Sequence, residues 1–145
     1  MRFMMLLYPD GKAEAGEMPS AEHMEKMIRF NGELGKAGVL LALDGLQPTS
    51  TGARVRFDGE KPRVVDGPFT ESKEIVGGYW IIQVKSKEEA VEWARRIPLE
   101  GDAFVEVRPM IDLADLPDDL KEVAVREIGK IAPEKVAHLQ PADKP

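Results

Sequence analysis

The densest run of chemically active side chains in this sequence is Asp66-Gly67-Pro68-Phe69-Thr70-Glu71-Ser72-Lys73-Glu74. Three carboxylates surround one lysine there. Neighbouring charges push carboxyl pKa values apart, so such a set can offer a proton donor and a proton acceptor at the same pH. The run also reads as a well-made turn. Asp66 can bond its own backbone ahead of the Gly-Pro pair, Phe69 can anchor the turn in a core, and the charges can be solvated. The spacing matches no metal loop, so we expect no metal site.

His23 is the second candidate. It stands at the edge of an apolar helical stripe, ahead of Met27 and Phe30. A charged imidazole in a helix's first turn opposes the helix dipole, which favours the neutral, proton-accepting form. That suits a general base if a carboxylate orients the ring, and Asp44, Asp66 and Glu71 are the candidates for that role. The other reading is a boundary histidine without a chemical task. Asp44, beside Gly45, either closes a turn or rims a pocket. Tyr79 and Trp80 leave their strand on opposite faces, one toward helices and one toward a second cavity. Both read as packing residues. Tyr79, with Asp44 and Lys73, is also a candidate ligand contact.

These residues belong to a 145-residue chain with no cysteine and two histidines. Disulfides, thiolate metal sites and cysteine nucleophiles are excluded, and a reducing, cytoplasmic setting fits. We expect no cofactor. The formal net charge is −6, shared equally between residues 1–109 and 110–145. No basic cluster exists to neutralise phosphates, so we expect no nucleic-acid partner. No apolar run approaches the ~20 residues of a membrane span. The apolar opening runs into Pro9-Asp10-Gly11 without a small-residue cleavage site, and reads as a buried strand and not as a leader.

Several elements must position the candidates. Phe3–Tyr8 reads as a strand and residues 12–19 as a loop. Ser20 caps a helix to Lys36 with Met24, Met27, Ile28, Asn31 and Leu34 on one face. Val39–Leu43 is a strand, Arg54–Phe57 and Arg63–Val65 a hairpin, and Tyr79–Val84 another strand. Ser86 and Glu89 form a capping box for a helix carrying Ala90, Trp93, Ala94 and Ile97. Phe104–Val107 is the last strand, and Pro117–Ile131 a third helix ahead of a polar tail. This order predicts an α+β fold: a ferredoxin-like split β-α-β with an inserted hairpin over residues 1–110, then a helical extension and tail over 111–145. Three strands are apolar on both faces, whereas a half-solvated sheet alternates. A second copy packed against the free face, with the third helix wrapping it, predicts a homodimer.

The Asp66–Glu74 run followed by Gly77-Gly78-Tyr79-Trp80 resembles the signature of YCII-related proteins of the DGPF type. Lys36-Ala37-Gly38-Val39-Leu40, Leu46-Gln47-Pro48, Ala90-Val91-Glu92-Trp93-Ala94 and Val105-Glu106-Val107-Arg108-Pro109 support it. The resemblance implies a dimeric α/β-barrel. Distant YCII-like proteins carry a histidine–aspartate pair proposed as catalytic, and one branch dehalogenates a hydroxyquinone. Their histidine falls where His23 stands. Their aspartate precedes a proline where this chain has Ile97-Pro98. Two functions therefore stand. The first is a cofactor-free lyase, isomerase or dehalogenase-like enzyme on a small organic acid or phenol. In it His23 is the base, and Asp66 or Glu71 orients it or acts as acid. The second is a non-catalytic small-molecule sensor or protein-interaction module linked to transcription.

Overall fold

Alternation of buried and half-buried residues builds the first strand. In the computed structural model, which describes residues 1–69 and 75–136, β1 (Arg2–Tyr8) turns Phe3 and Met5 fully into the core. α1 (Gly11–Glu14) follows where a loop was expected, because Asp10 caps it by accepting the Lys12 N–H at 3.2 Å. α2 (Ala21–Lys36) starts at the Ser20 cap. β2 (Leu40–Gly45) leads through a 3₁₀ turn at Thr49–Thr51 to the hairpin of β3 (Ala53–Arg56) and β4 (Arg63–Asp66). β5 (Gly78–Gln83), α3 (Lys87–Ala94) and β6 (Phe104–Pro109) complete the first unit. α4 (Asp118–Ile128) and the short α5 (Pro133–Val136) stand in place of one longer third helix.

The fold is α+β, with antiparallel sheets. Four strands run in the order β2-β5-β1-β6, and β3-β4 form a separate pair. β1 and β2, joined through α2, flank β5, the interleaving a split β-α-β unit requires. The chain divides into two compact units, Met1–Pro109 and Met110–Pro145. No helix among the described residues is long and apolar enough to cross a membrane.

The core of the first unit lies on one face of the sheet. Phe3, Met5, Trp80 and Ile82 meet Phe30 and Leu34 of α2 and Ala90 of α3, and Ile97 seals the end. The buried stripe of α2 is rotated from the expected one: Phe30 is 4% exposed, while Ile28 is 66% exposed. The Phe30 ring meets Trp80 edge-on at 6.1 Å and Trp93 at 6.5 Å, and these aromatic contacts set the rotation. At α3, Ser86 Oγ accepts the Glu89 N–H as expected, but the Glu89 carboxylate reaches the Lys85 N–H, one residue outside the cap.

Candidate functional site

The ends of β1 and β2 and the start of β5 open a cleft beneath α2. Its cavity is about 130 Å³, walled by Leu7, Met27, Leu43 and Trp80 and rimmed by Asp44 and Tyr79. Asn31, two helical turns beyond His23, also lines it. Trp80 Nε1 donates to Asn31 Oδ1 at 2.8 Å. Asp44 and Tyr79 sit directly opposite each other in the β2–β5 ladder, and Tyr79 OH donates to Asp44 Oδ2 at 3.3 Å. The Asp44 charge holds the Tyr79 phenol above its ordinary value of 10.0, with burial and the hydrogen bond acting in the same direction. Two residues expected at a pocket are thus brought together. The spacing of Asn31 puts it on the helix stripe, but only the long-range bond to Trp80 marks it as part of the cleft.

His23 lies one turn before Met27, roughly 6 Å along the helix axis. It does not line the cleft. Its backbone N–H donates to Ser20 Oγ at 3.1 Å, which fixes the first turn of α2. The side chain is 17% exposed. Its Nδ1 is sealed from solvent and has no hydrogen-bond partner among the described residues. The group facing that nitrogen is the Glu100 carboxylate, with Oε1 at 3.5 Å. The candidates Asp44, Asp66 and Glu71 did not include it. Glu100 sits in the turn between α3 and β6, and nothing local in the sequence connects it with the start of α2. Lys26 joins the same group of charges. Glu22, at 2.8 Å, holds its ammonium above the usual range, and Glu100 adds to that shift.

Asp66 closes β4 opposite Ala53 and is exposed. Its side chain makes no hydrogen bond among the described residues. The chain after it is anchored up to Phe69. Glu14 accepts the Thr49 N–H at 2.6 Å and the Thr49 hydroxyl at 3.0 Å, and Thr49 Oγ1 accepts the Phe69 N–H at 3.1 Å. Gly67 N donates to Gly52 O at 2.9 Å. A Cβ at Gly67 would lie 1.7 Å from the Thr49 carbonyl oxygen, so only glycine allows this approach. The Arg54 guanidinium stacks 3.9 Å above the Phe69 ring. Glu71 and Lys73 lie outside the described residues. Among the described residues no cluster of three histidine, aspartate or glutamate side chains could hold a metal ion.

Residues 1–114 match the sequence pattern of the YCII-related domain. The chain belongs to the YCII-related family. The matched stretch takes in all six strands and both long helices of the first unit. An uncharacterized protein of Rhizobium meliloti (strain 1021) is 37% identical over 79 residues. The similarity covers 52% of this chain and 62% of that relative, so the chain spans less than two thirds of the relative's length.

Proposed function

We propose that this YCII-related protein is a cofactor-free acid–base enzyme, a lyase or isomerase of a small organic acid or phenol, that works as a homodimer with His23 as its proton acceptor. One observation carries the catalytic part: solvent-sealed His23 Nδ1 faces the Glu100 carboxylate at 3.5 Å. An ionised carboxylate can only accept, so the pairing favours the tautomer with the proton on Nδ1. Nε2 then carries the lone pair and is the atom that takes a proton from an acidic C–H or O–H. Glu100 is the positioning residue, and Asp66 and Glu71 are left for the acid side of the reaction. Asp44, Lys73 and Tyr79 contact the ligand.

The dimer rests on the other face of the sheet. Met4 stands opposite Ile81, and Leu6 opposite Tyr79, on the side away from Phe3 and Trp80. Among the described residues, the core that α2 and α3 build lies on the Phe3 and Trp80 side. A second copy placed sheet to sheet covers these apolar residues and closes a dimeric barrel. Light scattering on the purified protein checks this, and a stable monomer contradicts it.

The catalytic reading is tested by incubating the protein with a panel of small 2-oxo acids and phenols in deuterium oxide and following proton loss by NMR. The expected result is exchange by the wild type and a drop of about 10²–10⁴-fold in His23→Gln. Exchange that survives His23→Gln undiminished contradicts the role.

A further inference from the structure

We infer that the cleft beneath α2 is a binding site for one uncharged six-membered ring bearing a carbonyl or hydroxyl oxygen, and that Asn31 recognises that oxygen. The inference rests on the phenol class of the proposed function but concerns binding alone, and its test needs no proton transfer at His23.

The orientation of the Asn31 amide comes first. An indole N–H can donate but not accept. Its 2.8 Å contact with Asn31 therefore fixes the carboxamide oxygen toward Trp80 and the NH₂ group away from it. Trp80 is 4% exposed and packs edge-on against Phe30, so the group that holds the amide is itself held. The NH₂ has no partner among the described residues. A preset donor on the wall of a cavity selects an acceptor.

The walls select the rest. Leu7, Met27, Leu43 and the Trp80 ring are apolar, and the cavity is about 130 Å³. An apolar cavity of about 150 Å³ takes up benzene, so the space matches one six-membered ring. None of the described residues that line the cleft is a cation, so an anion would lie unpaired against apolar walls, which narrows the class to neutral phenols and cyclic ketones. The polar group of such a ring meets Asn31 while its carbon frame lies against the leucines, the methionine and the indole.

Phenol, toluene and benzoate are the probes. Each is titrated into the full chain while the indole N–H of Trp80 and the side-chain NH₂ of Asn31 are followed by nitrogen–proton NMR. Phenol is expected to shift both signals, with toluene and benzoate binding at least about tenfold more weakly, the worth of one hydrogen bond or one unfavourable charge. Asn31→Asp keeps an acceptor for Trp80 but removes the donor, and is expected to weaken phenol about tenfold while the Trp80 signal persists. Gly45→Val is the second variant. A Cβ at Gly45 meets nothing within 4 Å, so the added side chain enters open space and is expected to abolish phenol binding without unfolding the protein. Equal binding of toluene and phenol, or phenol binding unchanged in both variants, overturns the inference.

Discussion

Tyr79 and Trp80 are neighbours on β5, yet they face opposite sides of one sheet and meet opposite environments. Trp80 is sealed under α2, its ring against Phe30 and its N–H bound to Asn31. Tyr79 keeps contact with solvent, and its hydroxyl meets a charged residue on the next strand. Where water is excluded, a polar group must find an internal partner, and that demand orients Asn31. Where water remains, the partner is a carboxylate on the next strand, and Asp44 raises the phenol's pKa through its charge. The helix side therefore supplies shape and a fixed donor. The other side supplies the hydrogen-bonded Asp44–Tyr79 pair and, in our reading, the surface for a second copy.

Trp80→Ala breaks this contrast most severely. It removes a buried ring and leaves Asn31 without its donor, and is expected to cost about 3–5 kcal/mol in denaturant unfolding. Tyr79→Phe, one residue away, is expected to stay within about 0.5 kcal/mol. On the opposite face, Leu6→Glu is expected to halve the mass seen by light scattering while leaving the circular dichroism spectrum intact. An unchanged mass separates that face from the dimer.

On the hairpin side, hydrogen bonds and a close backbone approach anchor the chain where burial does not. Gly67→Ala forces a Cβ against the Thr49 carbonyl oxygen and is expected to cost about 1–3 kcal/mol in thermal or denaturant unfolding. The smallest effect is electrostatic. Asp44→Asn is expected to bring the Tyr79 titration down toward 10.0, read by phenolate absorbance in a Tyr8→Phe background. The raised Tyr79 value means that the folded state favours the neutral phenol. Its contribution is present in full below the ordinary tyrosine value and is lost as pH rises through the folded one, so Asp44→Asn flattens the alkaline end of the stability profile.

The sequence made the strands, both long helices and their serine caps legible, because each depends on spacing over a few residues. Ser20 and Ser86 are read from local rules, and Asp44 stands out as a polar group at a strand end. Residues joined across the fold were not legible. Glu100 faces His23, Glu14 holds Thr49, and Trp80 orients Asn31 only once β1, β5 and α2 are packed together. The rotation of α2 that buries Phe30 and exposes Ile28 has the same origin, since two tryptophans from distant segments decide it. The carboxylates of the Asp66–Glu74 run were legible as a group, but Asp66 is exposed at the end of β4 and makes no ion pair among the described residues.

In the proposed mechanism Glu100 holds His23 with its proton on Nδ1 and its basic nitrogen free. Nitrogen NMR of the two imidazoles at neutral pH, assigned with a His138→Gln variant, reads the tautomer directly. A protonated Nδ1 and an unprotonated Nε2 for His23, with the preference weakened in Glu100→Ala, is the predicted result. A proton resident on Nε2, unaffected by Glu100→Ala, would contradict it.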